Sequence, residues 1–327
     1  MALTASKAYQ AASAENWVGR KDGKEAAYER WGQVVKILDL KEALPELKRS
    51  FVMIGYCCDE GVRRNQGRVG AAKGPDHLRV ILKNLPVHHP AAIKIYDAGN
   101  IYCQEGDLEE TQTLLAHAVS RIIAAGGFPL VLGGGHDLAY GHFTGIQNSI
   151  GNQKKIGIIN FDAHFDLRAP DAGSGNSGTG FYQVAMELKA QGRPFYYLPV
   201  GIQRISNTKK LFEVAKEFNV SYIDTSLLNA GNLPHLLPQL QQFLDRVDVV
   251  YLTVDLDVFS AAQAPGVSAT AFNGIEPGHC FFTLLRLICQ SGKLRSLDIA
   301  ELNPDYDIDS RTAKLAADIL FNVLLEL

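Results

Sequence analysis

Along most of this chain, short apolar runs alternate with longer stretches of helical period. Residues 51–56, 93–96, 128–132, 156–161, 196–200, 220–223, 247–254 and 294–299 are rich in β-branched and aromatic side chains and have the length of strands. Several are almost continuously apolar, as in KKIGIINFD and VDVVYLTVD. Such runs suit strands covered on both faces, which points to a parallel sheet. Between them, residues 109–125, 233–246, 277–290 and 311–325 carry apolar positions at helical spacing. The first of these stops at Gly126-Gly127, a normal helix end. Strand–helix alternation predicts a doubly wound α/β fold, with the sheet between two layers of helices. No Pro/Gly/Ser-rich linker divides it, so one domain is expected over residues 46–327. Residues 1–45 are polar and Ala-rich with scattered aromatics and read as an N-terminal helical extension.

Composition narrows the classes of function. The 327 residues are 46% hydrophobic, enough for a sizeable core, and the formal net charge is −3. Lys and Arg are dispersed, so no basic block offers itself to nucleic acid. No apolar run approaches the ~18 residues of a membrane span. The N-terminal residues lack the basic start and apolar stretch of a secretory signal. The five cysteines, Cys57, Cys58, Cys103, Cys280 and Cys289, show no zinc spacing. Reduced thiols in a cytoplasmic protein are the expectation. The expected partner is a small-molecule substrate, without nucleic acid or membrane, and self-association into a homo-oligomer is left open.

The chemistry lies where strands end. Three strand patterns run into Gly133-Gly134-Gly135-His136-Asp137, Asp162-Ala163-His164-Phe165-Asp166 and Asp255-Leu256-Asp257. In open α/β sheets, ligands bind outside the carboxyl ends of strands. In extended backbone, alternate residues share a face, so Asp162, His164 and Asp166 would converge if the strand direction continued, as would Asp255 and Asp257. His136 would add an imidazole from a third strand. Carboxylates crowded together raise one another's pKa unless a cation lies among them. An Asp/His set without Cys suits Mn²⁺ better than structural zinc, and two divalent ions would neutralise the cluster. A lone strand-end Asp is more often a turn former or helix cap, and Asp137 reads as a cap for the following helix. Three such motifs at three strand ends are harder to assign to turns.

Together these motifs resemble those of the ureohydrolase family, which includes arginase, agmatinase and formimidoylglutamase. The likeness is carried by GGGHD at 133–137, NFDAHFDLR at 160–168, SGNSGTGF at 174–181, TVDLDVF at 253–259 and LDIAELNP at 297–304. It implies an arginase-like fold with a mainly parallel eight-stranded sheet. It also implies two Mn²⁺ held by His136, Asp162, His164, Asp166, Asp255 and Asp257, with Asp162 and Asp255 bridging. Within the family, GVRRNQGRVGAAKGPDHLR at 61–79 and an acidic residue after GGGH resemble the formimidoylglutamase branch. The loop at 176–179 also lacks the histidine that arginases carry there. The branch's usual SGTPF stands here as SGTGF at 177–181.

The resemblance implies hydrolysis of N-formimidoyl-L-glutamate to L-glutamate and formamide, a step of histidine degradation. In that reading Asp166 shuttles a proton to the leaving amine, and Glu301 orients the amidinium through charge-assisted hydrogen bonds. The two substrate carboxylates call for cations at the rim. Arg63, Arg64, Arg68 and Arg204 are the candidates, with Asn65, Ser177 and Thr179 as neutral donors. The alternatives are a guanidine substrate, as in arginase or agmatinase, and a metal-binding regulatory protein that retains the fold.

Overall fold

The computed structural model describes residue 3, residues 6–171 and residues 173–327. All eight strand patterns form strands: β3 (Ser50–Cys57), β4 (Lys94–Tyr102), β5 (Phe128–Leu132), β6 (Ile156–Phe161), β7 (Tyr196–Ile202), β8 (Ile223–Asp224), β9 (Val249–Asp255) and β10 (Leu294–Ala300). The pattern at 220–223 shrinks to the two-residue β8. Two short strands from the N-terminal segment, β1 (Tyr9–Gln10) and β2 (Lys36–Ile37), bring the sheet to ten. Its order is β1-β4-β3-β5-β10-β9-β6-β7-β8, with β2 also on β4. Only β1 runs antiparallel to its neighbour among these pairings.

The helices are α1 (Trp31–Val34), α2 (Glu60–Arg64), α3 (Gly74–Leu82), α4 (Leu108–Ala124), α5 (Leu138–Ile150), α6 (Gly180–Ala190), α7 (Lys209–Glu217), α8 (Leu233–Asp245), α9 (His279–Gln290) and α10 (Arg311–Glu326). They cover the sheet as two separate cores. Met53, Ile159 and Phe161 face α3, α8, α9 and α10, whereas Val52, Ile54 and Ile158 face α4, α5, α6 and α7. Strand neighbours thus alternate between two dry layers, which is why the strands read as continuous apolar runs.

The N-terminal segment departs from expectation. Residues 1, 2, 4 and 5 lie outside the described residues, and the rest of 1–45 is loops and turns with two two-residue strands, two short 3₁₀ helices (Ala14–Trp17 and Ala26–Tyr28) and one four-residue α-helix. Buried aromatics override the local helical preference of its alanines. Tyr9 accepts a hydrogen bond from Leu40 N at 2.8 Å, and Trp17 Nε1 donates to Asp97 at 2.8 Å. Gly99 (φ +82°) permits β1 to cross close to β4, since a Cβ there would lie 2.0 Å from Gln10 O. The segment is therefore an edge of the sheet.

Four neighbouring strands at the centre, β5, β10, β9 and β6, carry the chemistry. The chain passes from β5 to β6 and only later returns to insert β9 and β10 between them. Motifs more than a hundred residues apart are thereby set side by side at one end of the sheet.

Candidate metal centre

Apart from Asp255, the last residue of β9, each functional side chain lies in a loop, turn or bend just beyond a strand end. β6 stops at Phe161, and Asp166 adopts a left-handed conformation (φ 49°). β9 stops at Asp255, which caps a 3₁₀ turn over Leu256–Val258 and accepts a hydrogen bond from Asp257 N at 2.8 Å. The expected convergence therefore occurs, but by turns and not by continued strand. Glu301, just beyond β10, is also left-handed (φ 69°). Non-glycine residues in that region are strained, and such strain concentrates where a side chain must be aimed.

The six motif residues form two groups that share Asp162. His136 Nδ1 lies 2.8 Å from Asp166, 3.2 Å from Asp162 Oδ2 and 3.2 Å from Asp255. His164 Nδ1 lies 3.0 Å from Asp257 and 3.4 Å from Asp162 Oδ1. The two oxygens of Asp162 thus turn toward different histidines, whereas Asp255 approaches only His136. Asn160 Nδ2 holds Asp162 Oδ2 at 2.9 Å, and His164 N holds its Oδ1 at 2.6 Å.

Burial and charge make this cluster uncomfortable without a cation. Burial, then the charge of Asp162, pushes Asp166 up to about 6. Burial and Asp162 likewise raise Asp255. Burial and Asp255 hold Asp257 and Glu301 well above the carboxylate range. Burial opposes charge on His136, but Asp162, Asp166 and Asp255 outweigh it and hold the imidazole well above its ordinary value. His164 is raised in the same way by Asp257 and Asp162. Yet His136 Nδ1 is buried and makes no hydrogen bond, although three carboxylates surround it. Neighbouring ligand atoms around a hard divalent cation lie roughly 3 Å apart, as bonds of about 2.1 Å at right angles require. The spacings here match, so the donor set fits one ion at His136, Asp162 and Asp166 with Asp255, and a second at Asp162, His164 and Asp257.

Five of these residues, His136, His164, Asp166, Asp255 and Asp257, line a cavity of about 290 Å³, and Asp162 lies buried behind them. Asn65, Arg68 and Ser177 reach it, as expected. Arg68 is partly engaged: its guanidinium stacks 4.1 Å from the Tyr306 ring centre and donates to the Pro265 and Val267 carbonyls. Four expected substrate contacts do not line it. Arg63 is exposed and paired with Glu60. Arg64 clamps Glu60, Glu109 and the Gly175 carbonyl, tying α2 to α4. Arg204 points into solvent beside Asp224 at 3.5 Å. Thr179 is buried as a turn anchor, donating to Asn176 O at 2.9 Å. Asp137 stands at the cap position of α5, but its carboxylate accepts from Tyr56 O–H at 2.7 Å and caps nothing.

The structure supplies a cation that sequence reasoning passed over. Arg168 lines the cavity, and its Nη1 donates to Asn65 Oδ1 at 2.7 Å. Asn65 in turn donates to Ser177 Oγ at 3.0 Å. Arg168 has no carboxylate partner among the described residues. Its position two residues after Asp166 was the available signal. Glu301 also lines the cavity; its Oε1 accepts from His136 N at 2.6 Å, and its Oε2 is buried without a partner among the described residues.

The sequence model of the Arginase family matches residues 49–326. The chain is 47% identical to the formimidoylglutamase of Chromobacterium violaceum, over 94% of this chain and 96% of that protein. It is 42% identical to that of Geobacillus thermodenitrificans, over 97% of each. Among solved structures, Trypanosoma cruzi formiminoglutamase with Mn²⁺ superposes at a TM-score of 0.74 and 26% identity, covering 84% of this chain and 92% of that one. The formimidoylglutamase of Bacillus subtilis superposes at 0.81, covering 94% and 95%; at 22% identity it speaks to the fold.

Proposed function

The chain belongs to the arginase family, and from that premise we propose that it hydrolyses the amidine C–N bond of N-formimidoyl-L-glutamate, releasing L-glutamate and formamide. The observation that carries this reading is one cavity lined by His136, His164, Asp166, Asp255 and Asp257 of the Asp/His cluster and by Arg168, which has no carboxylate partner among the described residues. The substrate is cationic at one end and carries two carboxylates, and the cavity offers the opposite charge at each place.

His136, Asp162, Asp166 and Asp255 would hold one divalent ion, and Asp162, His164 and Asp257 the other. Mn²⁺ is the ion proposed, on the donor set and on its presence in the T. cruzi relative. When bound, such a pair lowers the pKa of water toward neutrality, supplying a nucleophile. Glu301 lines the cavity with a buried Oε2 left unpartnered, and would orient the planar amidinium by a charge-assisted hydrogen bond. Asp166 lines the cavity, where it would carry a proton to the departing amine nitrogen. Arg168, steadied by Asn65, would take a substrate carboxylate, with Ser177 and Arg68 beside it. The five free thiols favour a reducing compartment, and the cytoplasm is the location proposed.

Product analysis tests the reading. With Mn²⁺ added, formamide and glutamate are expected from formimidoylglutamate, and no comparable urea from arginine or agmatine. Faster release of urea from either guanidine would replace this substrate.

A further inference from the structure

Beneath the cluster, a chain of buried polar side chains leads away from the cavity. His136 Nε2 lies 2.9 Å from Thr253 Oγ1. The Thr253 hydroxyl donates to Asp298 Oδ1 at 2.5 Å. The other oxygen of Asp298 accepts from Tyr251 O–H at 2.5 Å and meets His142 Nδ1 at 2.6 Å. His142 Nε2 lies 2.5 Å from Ser296 Oγ, and Ser296 donates to the Pro129 carbonyl at 3.1 Å. Thr253, Tyr251, Asp298, His142 and Ser296 are all inaccessible to solvent. Thr253 and Asp298 are direct partners in the β9–β10 register, so the sheet itself fixes their contact.

Counting protons along this chain assigns a role. A hydroxyl has one proton, and that of Thr253 is committed to Asp298. Toward His136 it offers only a lone pair, so His136 Nε2 must carry the ring proton. The neutral imidazole then has its lone pair on Nδ1, the atom that faces Asp162, Asp166 and Asp255 and lacks a hydrogen bond. We propose that Asp298, acting through Thr253, is a positioning residue that fixes His136 as the Nε2–H tautomer and so reserves Nδ1 for a divalent cation. This rests on the metal reading above. The neutral tautomer would otherwise be free to place its proton on Nδ1, where it would exclude the ion. Tyr251 and His142 saturate the far side of Asp298, so the carboxylate has no reason to turn from Thr253.

The test is Mn²⁺ titration of the full chain without substrate, followed by the electron paramagnetic resonance of free ion. Thr253→Val keeps the shape and removes the relay; Thr253→Ser keeps the hydroxyl. Loss of a partner that orients a ligand histidine typically weakens metal binding 10–100-fold. Thr253→Val should therefore weaken one of two ions by about that factor, leave the other within about threefold, and bind no worse in the Ser variant than wild type by more than about threefold. Asp298→Asn, whose amide can turn its N–H₂ toward Thr253 and reverse the hydroxyl, should weaken the same ion. Combined with Thr253→Val it should add almost nothing, the non-additivity expected of one pathway. A purely structural role would lower the melting temperature of the stripped protein and leave the affinity of the folded fraction unchanged. If Asp298→Asn does not fold, the Val and Ser pair decides. Wild type binding two ions with Thr253→Val unchanged would overturn the relay alone. Wild type binding no Mn²⁺ would remove the metal reading and the relay with it.

Discussion

At the scale of single residues, the decisive property of each arginine is what already occupies it. Arg63, Arg64 and Arg204 all have acidic partners, whereas Arg168 reaches the cavity holding only an amide oxygen. A charged hydrogen bond to substrate contributes about 1.5–3 kcal/mol, or roughly 10–150-fold in affinity. Arg168→Gln should therefore lower kcat/KM for formimidoylglutamate by about that factor, mainly through KM. Arg204→Gln should leave both constants within about twofold of wild type, as expected for an exposed pair. Steady-state kinetics on the two variants checks this, and equal losses in both would remove Arg168 from its assigned role.

At the scale of elements, the site is made by what strands do when they stop. The alternation of D-x-H-x-D reads as one face of an extended segment, but the backbone leaves β6 before the first aspartate. Asp166 and Glu301 reach their places only through left-handed backbone. The same dependence on one backbone conformation appears at the sheet edge. Gly99 (φ +82°) allows β1 to lie on β4, and any side chain there meets Gln10 O. Gly99→Ala should lower stability by about 1–3 kcal/mol, the usual cost of such strain. Urea unfolding measures it. Activity at 25 °C should survive, because β1 is three strands from β5.

At the scale of the whole molecule, two apolar cores press on a sheet whose central strands end in charge. In the stripped protein this charge is managed by protons. Asp166 is pushed up to about 6, and His136 and His164 hold their protons well above the ordinary histidine value. Metal binding must displace those protons, because a carboxylate and neutral imidazoles are the ligating forms. Affinity for the ion should then rise with pH from below 6 to beyond 7, since the raised histidines release protons only at higher pH. An ion that binds the folded state alone stabilises it by mass action. The melting temperature of the Mn²⁺-loaded protein should therefore exceed that of the chelator-treated protein by a margin that widens between pH 6 and pH 8. A margin that is constant or narrows over that range would contradict this protonation scheme.

What could be read from the chain alone was whatever depends on local pattern and side-chain chemistry. The central strand runs, such as β3, β5, β6, β9 and β10, announced themselves because they are buried on two faces. The six clustered Asp and His residues did so because their chemistry has few other uses at strand ends. Glu301 and the family likeness were legible in the same way. The tertiary structure alone decided which arginines reach the cavity without an acidic partner, because Glu60 and Glu109 hold Arg63 and Arg64 and Asp224 lies beside Arg204. It alone turned Asp137 toward Tyr56, eighty-one residues away, and made the N-terminal segment a sheet edge through buried Tyr9, Trp17 and Trp31. It alone connected Asp298 to His136, since that link runs through a strand register set when β9 and β10 enter the sheet between β5 and β6. Side-chain identity is local and can be read in order; occupancy of a charge, and the direction of a hydrogen bond, are properties of neighbours that only folding brings together.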